Sequence, residues 1–99
     1  MVMADPRRGE NRQCWLIEPW GAIQLEPCLF PEDEGWLEFA QACVGGYVEQ
    51  IQARSFAKRD IVSAFCNEEG LIHGMQENFT ASEFFTIRLV GRVLMYVRT

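Results

Sequence analysis

Acidic residues occur in two groups whose types could carry out general acid–base chemistry. Glu68 and Glu69 follow an apolar run, and Glu32, Asp33 and Glu34 are consecutive. Acid–base catalysis needs two carboxyl groups that face one substrate from different environments. Neighbouring acids in a turn, or in the first turn of a helix, are usually solvated and keep similar pKa values. Neither group therefore predicts a catalytic site.

The sequence gives equally little support for nucleophilic catalysis, for phosphate binding or for metal binding. His73 is the only histidine, and the sequence contains neither a nucleophile elbow nor a glycine-rich phosphate loop. The four cysteines are spaced 14, 15 and 23 residues apart, so they form no close pair of metal ligands. We predict a non-enzymatic protein without a cofactor or metal, in which the cysteines are reduced and pack as small apolar side chains.

Arginines near the C-terminus form a second kind of candidate site. If residues 86–98 were one uninterrupted strand, Arg88, Arg92, Tyr96 and Arg98 would share one face, because side chains alternate along a strand. Such a stripe would suit a phosphate-bearing ligand or an acidic partner. The alternatives are an ordinary solvated sheet face or a bulge at Gly91 that splits the stripe.

The charge balance argues against direct binding of nucleic acid. Fourteen Asp and Glu residues oppose nine Lys and Arg residues, giving a net charge of −5, whereas nucleic-acid binders need a basic footprint. Residues 14–60 contain eight acids and three bases. We predict that a basic partner would meet an acidic surface in this segment, formed by Glu32, Asp33, Glu34 and Glu38.

One helix is signalled clearly. Pro31 suits a first helical position, acidic residues follow it, and Gly45-Gly46 can end the helix. Trp36, Phe39, Ala40, Cys43 and Val44 recur at helical spacing and predict an apolar stripe. Since Gly35 weakens the first turn, a start at Trp36 is also possible.

Strands are predicted at residues 14–18, 22–26, 47–53 and 61–66, with a very short strand at 71–74 and a final strand at 86–98. The first two should form a hairpin, and 61–66 should be central. Capping-box spacing at residues 80–83 predicts a helical turn. We predict a flexible tail at residues 1–12 and a single α+β domain at 13–99. A mostly antiparallel sheet would carry the main helix on one face, with a short second helical turn.

From about residue 15 to residue 97, the chain resembles a small, largely uncharacterised family of about a hundred residues from phages, plasmids and other mobile elements. The matching marks are Glu18-Pro19, Gly45-Gly46-Tyr47-Val48-Glu49, Asn67-Glu68-Glu69-Gly70, Gly74 through Asn78, and Leu89-Val90-Gly91. The resemblance brings no catalytic residues. It implies a phage or plasmid origin, and such small proteins often act by binding a component of the host.

Two functions follow as hypotheses. The first is an accessory protein that binds and inhibits a host protein, such as an anti-CRISPR-like or other counter-defence factor. The second is a sponge for a nucleotide-derived signal, in which Asn67 and Asn78 would read a base or ribose and arginines would hold phosphate. Candidate binding residues for either function are Asn67, Glu68, Glu69, Asn78, Arg88, Arg92 and Tyr96.

Sequence also sets expectations for location and assembly. The N-terminus lacks the apolar segment of a secretory signal, and no later run is long enough to span a membrane, so we expect the host cytoplasm without membrane association. A homo-oligomer could form through strand 47–53 or the C-terminal strand if either were a sheet edge.

Overall fold

A computed structural model describes residues 12–52 and 61–98. Five antiparallel strands form one sheet in the order β2-β1-β5-β4-β3, and two helices accompany it. This confirms the predicted α+β fold. The elements are β1 (Arg12–Glu18), β2 (Gly21–Gln24), α1 (Trp36–Val44), β3 (Val48–Gln50), β4 (Ile61–Asn67), α2 (Phe79–Phe85) and β5 (Val93–Arg98).

The expected N-terminal tail lies almost wholly outside the described residues. Of its twelve positions only Arg12 is described, and it is the first residue of β1, where it pairs with Arg98.

The main helix begins at Trp36 rather than at Pro31. Gly35 has φ 81°, a left-handed conformation that stops helical hydrogen bonding from extending toward Pro31. At the other end Gly45, also at φ 81°, donates its N–H to the carbonyl of Gln41, which closes the helix as the double glycine predicts.

The two faces of the sheet carry separate apolar layers. The first layer lies between the sheet and α1, which packs on β4 and β5. The second lies on the opposite face, where α2 packs against β1. Buried residues of the first layer are Cys14, Phe30, Ala40, Val44, Phe65, Leu94 and Tyr96. Those of the second include Ile17, Ala64, Cys66, Phe85, Leu89, Val93 and Met95.

The final strand is shorter than predicted, and the arginine stripe does not exist. Gly91 has φ 71°, and Val90 forms only an isolated bridge with Glu77, so the regular strand starts at Val93. Tyr96 is fully buried in the α1 layer. The stripe is therefore split at Gly91 as the second alternative supposed, although by a break before the strand and not by a bulge within it. Because β5 lies between β1 and β4, the C-terminal strand is not an edge, whereas β3 is.

One further local prediction was wrong, and another is confirmed with a different capping residue. Residues 71–74 form turns instead of a strand, with the N–H of His73 bonded to the carbonyl of Glu69 at 3.0 Å. The cap of α2 is Asn78, whose side chain accepts from the N–H of Ala81 at 2.9 Å. The predicted helical turn is thus present as α2, but Thr80 is its second residue and not its cap; the Thr80 hydroxyl donates to the carbonyl of Pro19 at 3.0 Å.

Strand β4 is buried along most of its length, as expected for an interior strand. A register shift between Ile61 and Ser63 bends it. Over the described parts of the chain, neither helix has the length and apolar character needed to cross a lipid bilayer.

Candidate partner-binding surface

A pocket of about 230 Å³ opens where β3 begins and β4 ends. Glu49 and Cys66 are directly paired across these strands and line the pocket together. The Cys66 Sγ lies 4.0 Å from Glu49 Oε1. Burial, and then the Glu49 carboxylate, raise the pKa of the Cys66 thiol to about 11. The Glu49 carboxylate therefore adds negative charge to the pocket, and the Cys66 thiol is protonated at neutral pH.

The remaining lining of the pocket is partly apolar. Leu71, Leu89 and Val90 form one side of it, and Glu68 adds a second carboxylate. Leu71 is 71% exposed because the chain turns sharply after β4 and leaves no partner for its side chain within the described structure. This combination of apolar walls and carboxylates suits an amphipathic cation.

Arg88 extends the pocket into a neighbouring depression. Its Nε donates to Glu77 Oε1 at 3.1 Å, and the side chain is well exposed. The depression on its other side is lined by Phe79, Glu83 and Ile87. Phe79 is 62% exposed although it belongs to α2. We call the combined region the acidic–apolar surface; it consists of Glu49, Glu68, Leu71, Glu77, Phe79, Glu83, Ile87 and Arg88.

Asn67 lines the pocket by its position, but its amide group is engaged in the fold. The Nδ2 donates to the carbonyl of Val44 at 3.3 Å, and the Oδ1 accepts from the N–H of Glu69 at 2.7 Å. A Cβ on Gly46 would lie 2.8 Å from Asn67 Nδ2, so the second glycine of the pair is needed for this close approach. Asn67 thus fixes the end of β4 to the end of α1.

Asn78 is also structural and lies away from the pocket lining. It is fully buried, and its Nδ2 donates to the carbonyls of Ile17 and Gly91, each at 2.8 Å. Together with its capping bond to Ala81, this occupies both ends of the amide. Asn67, Asn78 and Arg88 therefore do not converge as one set of ligand-reading groups.

The other predicted binding residues scatter. Glu68 is exposed at the pocket, whereas Glu69 is half-buried and does not line it. Arg92 lies near the C-terminus of α1, since a Cβ on Gly45 would be 3.8 Å from its guanidinium. A cation there complements the helix dipole.

Tyr96 is part of the core and does not belong to a binding surface. It donates its hydroxyl to the carbonyl of Leu29 and accepts from the indole N–H of Trp36 at 2.8 Å. Burial raises the pKa of Tyr96 far above its ordinary value.

The predicted acidic partner surface divides into two pairs. Asp33 accepts from Arg12 at 3.1 Å and from the N–H of Phe30 at 2.8 Å, so it organises the loop before α1. Glu32 accepts from Arg98 at 2.8 Å, and this bond lowers the pKa of the Glu32 carboxyl. Glu34 and Glu38 are exposed.

Both arginines of this region also lie over one ring. The guanidinium carbons of Arg12 and Arg98 are 4.2 Å and 4.9 Å from the centroid of the buried Phe30 ring. Such cation–π contacts stabilise the loop against the sheet. Arg98 therefore has a structural role and does not belong to a binding stripe on the final strand. The charges of Glu32 and Asp33 are largely neutralised within the protein.

Sequence reasoning missed Glu49, Leu71, Glu77, Phe79, Glu83 and Ile87. Glu49 and Arg88 belong to distant parts of the chain, so no local motif joins them. The usable signal was the apolar pair Leu71-Ile72 inside a turn, where both side chains are now exposed. Four unbridged cysteines are present, of which Cys14 and Cys66 are buried and Cys28 and Cys43 are half-buried.

Within residues 12–52 and 61–98, no three His, Cys, Asp or Glu side chains are grouped closely enough to hold a metal ion. Comparisons of the chain with protein-family models, with curated proteins and with solved structures found no match.

Proposed function

We propose that this protein is a non-enzymatic accessory protein of a phage or mobile element that binds and inhibits a host protein, within the counter-defence class. The phage origin rests on the resemblance of the sequence marks. The binding role rests on the acidic–apolar surface. We assign the partner contact to this surface and not to the Glu32–Asp33 region.

The observation that carries the proposal is the coexistence of exposed apolar side chains and a strong charge imbalance. Leu71, Phe79 and Ile87 are exposed on a surface that also holds four carboxylates and one guanidinium, Arg88. Large apolar groups grouped on one part of a small protein commonly mark an interaction site. The carboxylates around them favour a partner with basic residues and accelerate its approach.

The pocket supplies an anchor point for such a partner. A lysine or arginine side chain has an apolar stem and a charged head. Its stem would pack on Leu71 and Leu89, and its head would lie between Glu49 and Glu68. A partly buried ion pair of this kind contributes more than a pair at the rim of an interface.

The sponge hypothesis has less support. Its two asparagines bond to backbone groups of the protein at both ends of their amides, so neither presents a free edge to a nucleotide. Native mass spectrometry of the protein purified from host cells distinguishes the two functions. A releasable small molecule bound in stoichiometric amount would favour the sponge and overturn our proposal.

The decisive experiment compares capture of host proteins by matched variants. The double variant Glu49→Lys/Glu68→Lys reverses two charges at the pocket. The control, Glu34→Lys/Glu38→Lys, reverses two exposed charges elsewhere. We expect a specific host protein in the wild-type and control pull-downs, and a binding constant for the purified partner that weakens at least about tenfold in the pocket variant.

Salt and apolar variants complete the test. Binding to the partner should weaken as the salt concentration rises, because exposed charges are screened. Leu71→Ser should weaken binding without changing its salt dependence. Equal loss of binding in the control variant, or recovery of no specific partner by the wild type, would contradict the proposal.

A further inference from the structure

Among the strands that the structure describes, β2 forms one edge of the sheet, and its composition is unusual for an edge. Its four residues, Gly21 to Gln24, carry no charge, although the whole chain has a net charge of −5. Ile23 is 54% exposed, and Trp20, in the preceding turn, is 73% exposed. Natural edge strands usually carry charges, prolines or bulges that block pairing with another chain. Strand β2 has none of these within its four residues.

The direction of the backbone groups of β2 follows from one hydrogen bond. The N–H of Leu25 donates to the carbonyl of Cys14 at 2.8 Å, so these residues form a hydrogen-bonded pair. Such pairs alternate along an antiparallel ladder, which makes Ile23 the next residue bonded to β1. The N–H and C=O groups of Ala22 and Gln24 therefore point away from β1, toward the open edge.

These two residues are placed symmetrically about Ile23. If a second copy approached antiparallel, Ala22 of one copy would exchange backbone hydrogen bonds with Gln24 of the other, and the reverse. The two Ile23 residues would then face each other across a twofold axis as a non-hydrogen-bonded pair, in which side chains are closest. The same patch serves both copies, as a twofold interface requires.

Strand β3, at the opposite edge of the sheet, is not suited to pairing with itself. The N–H of Ile51 donates to the carbonyl of Ala64 at 2.8 Å, so by the same alternation Val48 and Gln50 of β3 point outward. Self-pairing through β3 would be centred on Glu49. Two carboxylates would then face each other directly, which destabilises a strand pair. Strand β3 is thus protected against self-association, and β2 is not.

We propose that the protein forms a twofold homodimer by antiparallel pairing of β2 with β2 of a second copy, centred on Ile23. Trp20 flanks the paired strands and enlarges the contact. Since four residues per copy form a short edge, the dimer is concentration-dependent and belongs to the small, weak class of interfaces. The proposal uses none of the residues of the acidic–apolar surface, which belong to β3, to the turns after β4, and to α2 with the segments on either side of it.

The first test uses proline to remove an outward N–H. Gln24→Pro deletes a donor from the open edge of β2 and leaves its bonds to β1 intact. Gln50→Pro makes the same change at the edge of β3. Sedimentation equilibrium across a wide concentration range should give a dimer for the wild type and for Gln50→Pro, and a dissociation constant at least about tenfold weaker for Gln24→Pro.

The second test does not depend on tolerance of proline. Ile23→Cys would place two thiols across the axis at a separation that a disulfide can span. Under mild oxidation by glutathione disulfide, each copy loses one thiol proton and the two sulfurs bond, while glutathione disulfide is reduced to two thiols. We expect a covalent dimer that the wild type, with its four native cysteines, does not form.

Val62→Cys provides the matched control, because Val62 is similarly exposed, at 47%, but lies on an interior strand. It should form far less covalent dimer than Ile23→Cys under the same conditions. A wild-type protein that stays monomeric at every concentration, or equal crosslinking of the two cysteine variants, would overturn the proposal.

Discussion

The protein has two acidic regions, and they differ in what their charges do. In the region before α1, Asp33 and Glu32 are bonded to Arg12 and Arg98, which also lie over the Phe30 ring. On the acidic–apolar surface, Arg88 pairs with Glu77, and the other three carboxylates, those of Glu49, Glu68 and Glu83, form no ion pair among the described residues. The first region uses acidity to hold a loop, whereas the second leaves it available to a partner. A count of charges along the sequence cannot separate these cases, because the arginines that neutralise the first region come from the ends of two strands.

The largest expected effect is a loss of stability caused by a substitution in the acidic region before α1. Asp33→Ala removes the bond to the Phe30 N–H and leaves the partly buried Arg12 without its carboxylate. We expect the free energy of unfolding to fall by about 2–3 kcal/mol, measured by urea denaturation. Glu34→Ala, at the exposed position next to it, should change stability by less than about 0.5 kcal/mol. Similar costs for the two variants would remove the distinction between the regions.

The next prediction concerns the reactivity of the Cys66 thiol, which reports the influence of Glu49 on the electrostatic potential of the pocket. Burial and Glu49 raise its pKa, so little thiolate is present at pH 8. Glu49→Gln removes the negative neighbour and should accelerate alkylation of Cys66 by iodoacetamide severalfold. Peptide mass spectrometry separates Cys66 from the other cysteines. Glu34→Gln is the control. An unchanged rate at Cys66 would show that Glu49 does not control the pocket potential.

A smaller effect concerns acid stability and Glu32. Its pKa is lowered in the folded protein by Arg98, so its contribution is present above its ordinary value of 4.5 and is lost as the pH falls through the folded value. Glu32→Gln should reduce the loss of stability between pH 5 and acid by less than about 1 kcal/mol, because the pair is exposed. Unfolding midpoints measured at pH 7 and at acid pH test this. A larger acid loss in the variant would reverse the assigned sign.

The smallest effect is expected at Arg88. Its pair with Glu77 is exposed, so Arg88→Ala should change the free energy of unfolding by less than about 0.5 kcal/mol. The same variant makes the acidic–apolar surface more negative, so it should strengthen binding of a basic partner. Thermal denaturation and a binding titration separate the two consequences. A strong loss of stability would place Arg88 among the structural arginines.

The sequence predicted the parts of the fold that have local causes. The main helix was predicted from the spacing of its apolar residues and from Gly45-Gly46, and the first hairpin from alternating residues bounded by Pro19 and Pro27. The start of the final strand after Gly91 was harder to predict, because a glycine is compatible with both a bulge and a regular strand. The cap of α2 was not predicted because Asn78 and Thr80 are both suitable types, and local sequence alone does not say that the helix begins at Phe79.

The candidate site was predicted only in part. Glu68 and Arg88 were chosen as binding residues and do line the surface, but Asn67 and Asn78 were chosen for hydrogen-bonding capacity that the fold itself uses. Local sequence gives the type of a polar group and not the partner that occupies it. Glu49 becomes relevant only when β3 pairs with β4, which depends on the register of the sheet.

Close contacts at three glycines beside the pocket limit how the sequences of relatives of this chain would vary. Asn67 can approach Gly46 only because Gly46 has no Cβ. A Cβ on Gly70 would lie 2.9 Å from Val90, and a Cβ on Gly91 would lie 2.8 Å from Met75. These contacts join four of the sequence marks into one packed unit, so a larger residue at one position requires a smaller or displaced one at its neighbour. The marks should therefore covary in pairs during evolution. They record how the turns around the end of β4 pack against one another, and they carry no information about the partner.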